Sequence, residues 1–232
     1  KSIRKTSGTE ILKEAKNIAF DIYKQNIKYN KPKFSFSKHY PYKSYNLIES
    51  NSLSKKEIEC FLNESNKYIE YNKNKLKKSD LLKGRTVFNL FFEDSTRTRT
   101  SFEVAAKRLG ADLINVAVKD SSINKGETLL DTMTTINSMD PDVLIVRHPE
   151  EGISKKISKI VNACVINAGD GSHEHPTQAL LDALTIKKKF GNFHKLKIAI
   201  CGDILHSRVA KSNIEILSTL GSSINVIGPK SL

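Results

Sequence analysis

Residues 95–99 read Ser-Thr-Arg-Thr-Arg and follow directly on the apolar run TVFNLFF of residues 86–92. Such a run has the composition of a buried strand. After it Phe102, Ala105, Ala106 and Leu109 recur at helical spacing and end at Gly110, which suits the residue just past a helix terminus. Ser95 and Thr96 then stand at a helix start, where unpaired backbone N–H groups and the positive end of the helix dipole converge. With the guanidinium groups of Arg97 and Arg99 added, the chemistry is that of a cradle for a phosphate-like anion. The competing reading makes Ser95 a plain N-cap and leaves the arginines in solvent.

Other groups fall at similar places. Arg147 follows the apolar run DVLIV, which would put its guanidinium at the carboxyl edge of a sheet. His175 precedes Pro176, and proline suits the first position of a helix, so His175 is expected near an N-cap with its ring toward the same edge. Arg208, in GDILHSRVAKS, lies near another helix start. Ser121 and Lys125 sit in KDSSINKGE, a polar loop that also carries Gly126. Each has an ordinary alternative: a solvated arginine or lysine, or a structural histidine.

The elements needed to hold these groups are visible as strict alternation after residue 86. Strands are expected at 86–92, LINVAV, DVLIV, CVIN, LKIAICGD and INVIG. Helices are expected up to about Leu109, over ETLLDTMTTINSM, near 151–162, from Pro176 to Phe190, and near 207–220. Short apolar strands joined by amphipathic helices imply an α/β fold with parallel sheets covered on both faces and ligands outside the carboxyl ends of the strands.

Before Gly84 the chain differs. Of the net charge of +13, the first 85 residues carry +11 and the rest +2, and all seven tyrosines lie before residue 72. One amphipathic helix is expected over about 9–22 and a second over 54–72, with Ile58, Phe61, Leu62, Ser65 and Ile69 on one face. Between them, residues 28–46 interleave lysines with aromatics and contain Pro32 and Pro41. That arm has the composition of a single-strand nucleic-acid binder, with a lysine-rich solvated segment as the plainer reading. The three cysteines form no CxxC pair, which suits a reducing cytoplasm. No apolar run is long enough to span a bilayer.

With these residues on the page, the sequence resembles the aspartate and ornithine carbamoyltransferases, whose shared phosphate signature is Ser-Thr-Arg-Thr-Arg. HPTQALLD (175–182), KGETLLDT (125–132) and VRHPEEG (146–152) resemble the aspartate branch. The resemblance covers about residue 47 to the end. It implies two doubly wound parallel-sheet domains: a carbamoyl-phosphate domain over 47–182 and part of an aspartate domain over 183–232, preceded by a basic extension over 1–46 with no recognised counterpart.

The implied reaction is attack by the α-amino group of L-aspartate on the carbonyl carbon of carbamoyl phosphate, with loss of phosphate and no metal or organic cofactor. Ser95, Thr96, Arg97 and Thr98 match the phosphate cradle. Arg99 is implied to turn away into structural ion pairs. Thr98, Arg147 and His175 match the group that stabilises the oxyanion, Gln178 the holder of the carbamoyl amide, and Arg208 a ligand of an aspartate carboxylate. Ser121 and Lys125 match residues that enter a neighbouring subunit's active site, which implies a homotrimer. Whether a regulatory chain or a dihydroorotase associates stays open. Family chains continue well past the position of Leu232, so the sequence is expected to be a fragment that binds carbamoyl phosphate weakly and turns nothing over. Two other readings stand beside this one: a relative acting on ornithine or another amine, and a nucleic-acid binder built on a transferase scaffold.

Overall fold

The apolar runs expected as strands form two parallel sheets in a computed structural model of the chain. The described residues are 45–73, 77–117, 128–229 and 231. They fall within one compact unit, Phe34–Leu232. The helix expected over 9–22, nearly all of the basic arm, and the loop bearing Ser121 and Lys125 lie outside the described residues.

After a short 3-10 turn at Ser50–Ser52, the order is α1 (Lys55–Tyr71), β1 (Thr86–Phe91), α2 (Thr96–Arg108), β2 (Asp112–Ala117), α3 (Leu129–Ser138) and β3 (Val143–His148). It continues with α4 (Ile153–Ile157), β4 (Cys164–Asp170), α5 (Pro176–Phe190), β5 (Lys197–Cys201), α6 (Arg208–Thr219) and β6 (Ser223–Ile227). The first sheet runs β2-β1-β3-β4 and the second β5-β6, every pairing parallel.

Successive side chains of a strand point to opposite faces, so β1 feeds two layers. Phe88 and Leu90 pack with Met133 and Ile136 of α3, Ile157 of α4 and Val146 of β3. Val87 and Phe91 face the other way, toward Ala106 of α2. A further core joins Ile58 and Leu62 of α1, Ala179 and Ala183 of α5, and Ile216 and Leu217 of α6. This core ties the helix that begins at His175 to the one that begins at Arg208.

Several sequence expectations need correction. The helix expected over 151–162 is only five residues long. Beyond it the chain tightens into turns, with Lys159 N–H donating to Lys156 O and Ile160 N–H to Ile157 O, which carries Val161 and Ala163 into the core. Arg147 lies inside β3 rather than after it: Phe92 N–H donates to its carbonyl at 2.9 Å, extending the ladder by two residues. Ala105 is exposed, because α2 covers the sheet with Phe102 and Ala106 while Ala105 faces a groove beside Tyr68 of α1. The expectation of parallel sheets covered on both faces holds for β1, β3 and β4 of the four-stranded sheet, while its edge strand β2 leaves Ile114 and Asn115 exposed. In β5–β6, however, Ile198 and Ile224 pack on the α5–α6 core while Ala199, Cys201, Asn225 and Ile227 are less covered, leaving one face open.

Helix α2, whose first turn is the expected cradle, is closed as its sequence requires. Ala111 N–H donates to Ala106 O and Gly110 N–H to Lys107 O, with Gly110 at φ 84°. A Cβ on Gly110 would meet Ser79 O at 2.5 Å. Gly110→Ala is expected to lower the unfolding free energy by more than about 1 kcal/mol, read by chemical denaturation, since both backbone strain and a backbone clash oppose it.

Candidate active site

Adjacent parallel strands end at the same edge of a sheet, and β1, β3 and β4 bring Ser95, Arg147 and Ala168 together there. The helices α5 and α6 start at that edge with His175 as N-cap and Arg208 as first residue. Between them lies a cavity of about 680 Å³ whose lining includes Ser95, Arg97, Thr98, Arg147, His175, Gln178 and Arg208. Seven of the residues singled out from sequence therefore meet in one place. Thr96 is exposed at the start of α2 and its side chain does not line the cavity. Ser121 and Lys125 are not among the described residues.

Ser95 caps α2 by position, yet its side chain makes no capping hydrogen bond. Its hydroxyl is left for another acceptor or donor, beside N–H groups that the first turn leaves open. Arg97 is exposed on the cavity wall. Arg99 does not line the cavity, as expected. The ion pairs foreseen for it are not found among the described residues.

A carboxylate that the sequence reading passed over organises the two remaining arginines. Glu93 Oε1 accepts from Arg147 Nε at 2.6 Å and from Arg208 Nη2 at 2.7 Å. Arg147 Nη1 further donates to Ala168 O at 3.2 Å and to Thr98 Oγ1 at 3.4 Å. Burial, and next the neighbouring Arg208, make the charged form of Arg147 harder to hold than usual, with Glu93 opposing both. Arg208 Nη1 is buried with no hydrogen-bond partner. A cationic donor left without an acceptor is a group that an anionic ligand would satisfy.

Room for both guanidinium groups comes from Gly169. At φ 126° it has a backbone that side chains rarely adopt, and a Cβ there would lie 3.0 Å from Arg147 Nη1 and 3.2 Å from Arg208 Nη1. The fully buried Asn167 pins this end of β4 by accepting from Gly169 N–H at 2.9 Å.

His175 is buried, and its pKa is pushed down to about 4, first by desolvation and then by Arg147 and Arg208, with Glu93 partly opposing. It is a neutral imidazole at pH 7. Thr177 Oγ1 stands 3.4 Å from its Nδ1. Its main chain is held from both sides: His175 N–H donates to Ser212 Oγ at 2.8 Å, while Ser212 and Ser50 hydroxyls both donate to Glu174 Oε2, at 2.5 and 2.7 Å. That buried cluster links the 3-10 turn, the β4–α5 connection and α6. Gln178, one turn into α5, donates from Nε2 to Asp182 Oδ1 at 3.0 Å. Among the described residues no group of three or more His, Cys, Asp or Glu side chains is placed to hold a metal ion. No helix among them is long and apolar enough to cross a membrane.

Glu93, Gly169, Asn167 and Glu174 were missed from sequence. Glu93 had a usable signal, a carboxylate between a strand end and a basic cluster. The others depend on partners far away in the chain.

The model of the aspartate/ornithine carbamoyltransferase carbamoyl-phosphate-binding domain matches residues 45–188. The chain belongs to the aspartate/ornithine carbamoyltransferase family. Among curated members it is 52% identical over 201 residues to the aspartate carbamoyltransferase catalytic subunit of Gluconacetobacter diazotrophicus, covering 87% of this chain and 63% of that one. It is 56% identical over 186 residues to that of Granulibacter bethesdensis, covering 80% and 59%. Among solved structures it is similar to aspartate transcarbamoylase from Trypanosoma cruzi in complex with carbamoyl aspartate and phosphate, with a TM-score of 0.75 and 36% identity over 81% of this chain and 61% of that one. The same enzyme bound to N-(phosphonacetyl)-L-aspartic acid matches with a TM-score of 0.72 and 37% identity, covering 78% and 56%. This carbamoyltransferase-family chain thus spans less than two thirds of the length of these relatives.

Two outcomes are expected. Gly169→Ala should displace at least one guanidinium and weaken binding of inorganic phosphate by about tenfold, the scale of one charge-assisted hydrogen bond, in calorimetric titration. For His175, a folded-state pKa below the ordinary 6.5 means that the unfolded chain binds the proton more readily. Stability from this group is full above pH 6.5 and falls as pH drops toward 4, by about 3 kcal/mol in all. Denaturation of the wild type between pH 7 and 4 should show that loss, and His175→Asn should flatten it.

Proposed function

We propose that this chain carries the carbamoyl-phosphate half and the beginning of the amine half of an aspartate carbamoyltransferase. The reaction would transfer the carbamoyl group of carbamoyl phosphate to the α-amino group of L-aspartate, giving N-carbamoyl-L-aspartate and phosphate. The observation that carries this reading is the convergence of Arg97, Arg147 and Arg208 on one cavity, with Glu93 bonded to the last two and no carboxylate among the described lining residues. A surplus of positive charge beside unused helix N–H groups suits a dianion and a second, carboxylate-bearing substrate.

The roles follow from position. Ser95, the first turn of α2 and Arg97 take the phosphate group. Thr98, Arg147 and His175 face the carbonyl oxygen. As the amine attacks, that oxygen gains charge, and donors already fixed in place stabilise it without reorganising. Thr177 Oγ1 stands 3.4 Å from Nδ1, and in the tautomer whose Nδ1 accepts from it the neutral His175 would carry its own proton on Nε2, available to that oxygen. Loss of one such donor is expected to cost on the order of 2.7 to 4 kcal/mol of transition-state stabilisation. Arg208, with one nitrogen unused, is suited to an aspartate carboxylate.

Residues 47–182 would form the carbamoyl-phosphate part and 183–232 the start of the amine part. By family likeness, Ser121 and Lys125 would serve a neighbouring copy in a homotrimer. The free cysteines are in keeping with a cytoplasmic setting.

The test is calorimetric titration of the chain with carbamoyl phosphate and with N-(phosphonacetyl)-L-aspartate. Saturable binding of both is expected, weakened at least about tenfold by Arg147→Ala, the scale of losing a charged hydrogen bond. Absence of binding by either ligand at millimolar concentration would overturn the reading.

A further inference from the structure

The amide of Gln178 has two faces of opposite chemistry, a carbonyl oxygen that accepts and an NH₂ that donates, and which one meets a ligand depends on what holds the other. Gln178 lines the cavity next to His175 and Arg147. Its Nε2 lies 3.0 Å from Asp182 Oδ1, one turn further along α5. A carboxylate offers only acceptors, so the donor end of the amide must be the end turned toward it. Asp182 is itself fixed: its other oxygen, Oδ2, accepts from Asn213 Nδ2 at 2.8 Å, and that nitrogen also donates to Val209 O at 3.1 Å. Two acceptors around Nδ2 settle the orientation of Asn213 in turn. A chain of three side chains from α6 to α5 therefore leaves Gln178 Oε1 as the atom free to meet a ligand.

We infer that Asp182 is a positioning residue that sets the Gln178 amide so that the cavity recognises an acyl phosphate bearing an N–H donor on its acyl carbon. This inference rests on the reading of the cavity as a carbamoyl-phosphate site and adds the means by which the carbamoyl NH₂ is told from a methyl group of similar size. A methyl group opposite Oε1 would leave that acceptor without a partner once water is displaced, whereas an NH₂ satisfies it. Neither Asp182 nor Asn213 is among the residues lining the cavity, so the effect is exerted through Gln178.

The test compares dissociation constants of the full chain for carbamoyl phosphate, acetyl phosphate and inorganic phosphate by calorimetry. Wild type is expected to favour carbamoyl over acetyl phosphate by about tenfold, the scale of one hydrogen bond with its unsatisfied counterpart. Asp182→Asn offers a donor as well as an acceptor, lets the Gln178 amide turn over, and should cut that preference about fivefold or more while leaving inorganic phosphate affinity unchanged. Asp182→Glu keeps an acceptor and should retain most of the preference. A preference that survives in Asp182→Asn, or that is lost as fully in Asp182→Glu, overturns the inference, because a purely structural role would weaken all three ligands together. Equal wild-type affinity for carbamoyl and acetyl phosphate overturns it even where Asp182→Asn does not fold. Binding of none of the three ligands by the wild type removes the carbamoyl-phosphate reading itself, and the inference with it.

Discussion

Two guanidinium groups brought to one strand edge repel each other, and the carboxylate of Glu93 between Arg147 and Arg208 is what holds them there without a ligand. Its Oε1 takes a hydrogen bond from each, so one negative charge is shared by two positive ones and the cavity keeps a net positive field. A fully neutralised pair would have had no reason to bind an anion. An unneutralised one would have had to spread apart. The orphaned Nη1 of Arg208 marks where the balance is left open.

This arrangement depends on backbone features as much as on charge. Both arginines approach the end of β4 closely enough that a methyl group on Gly169 would press against them, and that end is held by Asn167 from within the same strand. On the far wall the Glu174 cluster anchors the main chain of His175 to α6 through Ser212 and to the 3-10 turn through Ser50. Since Arg208 begins α6, the same anchoring fixes the origin of the second arginine. The core shared by α1, α5 and α6 makes those helix starts a common frame.

What could be read in the sequence had short range. The strand expected to end at Phe92 and found to end at Phe91, the helix that starts at Thr96 and the helix from Pro176 to Phe190 follow from apolar period, a proline at the first helical position and a glycine just past the helix end. Of the seven cavity residues, Ser95, Arg97, Arg147, His175 and Arg208 stood out because each follows a strand or lies at a helix start, while Thr98 and Gln178 came only from the family resemblance. Glu93 also follows a strand and could have been singled out, but Gly169 and Glu174 could not, since their meaning lies in Arg147, Arg208 and Ser212, which are distant in sequence and meet them only through the sheet order β2-β1-β3-β4 and the packing of α6. Ala105 shows a related limit. Helical period places it on the same side as Ala106, but the width of the face that the sheet covers is set by where α1 lies, and Ala105 falls outside it.

The field that attracts a phosphate dianion also acts on His175, and the order of the causes decides what the imidazole can do. Arg147 and Arg208 both disfavour its protonation, but burial does so more strongly than either. A bound dianion would offset the arginines and restore part of the proton affinity. The same ligand would exclude water and deepen the burial. The larger of the two causes therefore persists in an occupied cavity, and under the proposed reaction the ring would meet the carbonyl oxygen as a neutral donor. An imidazolium would stabilise an oxyanion more strongly, yet it would add a third positive charge beside two arginines that the single carboxylate of Glu93 only half neutralises. Burial is thus the first reason His175 is neutral, and the two arginines that make the cavity positive act in the same direction.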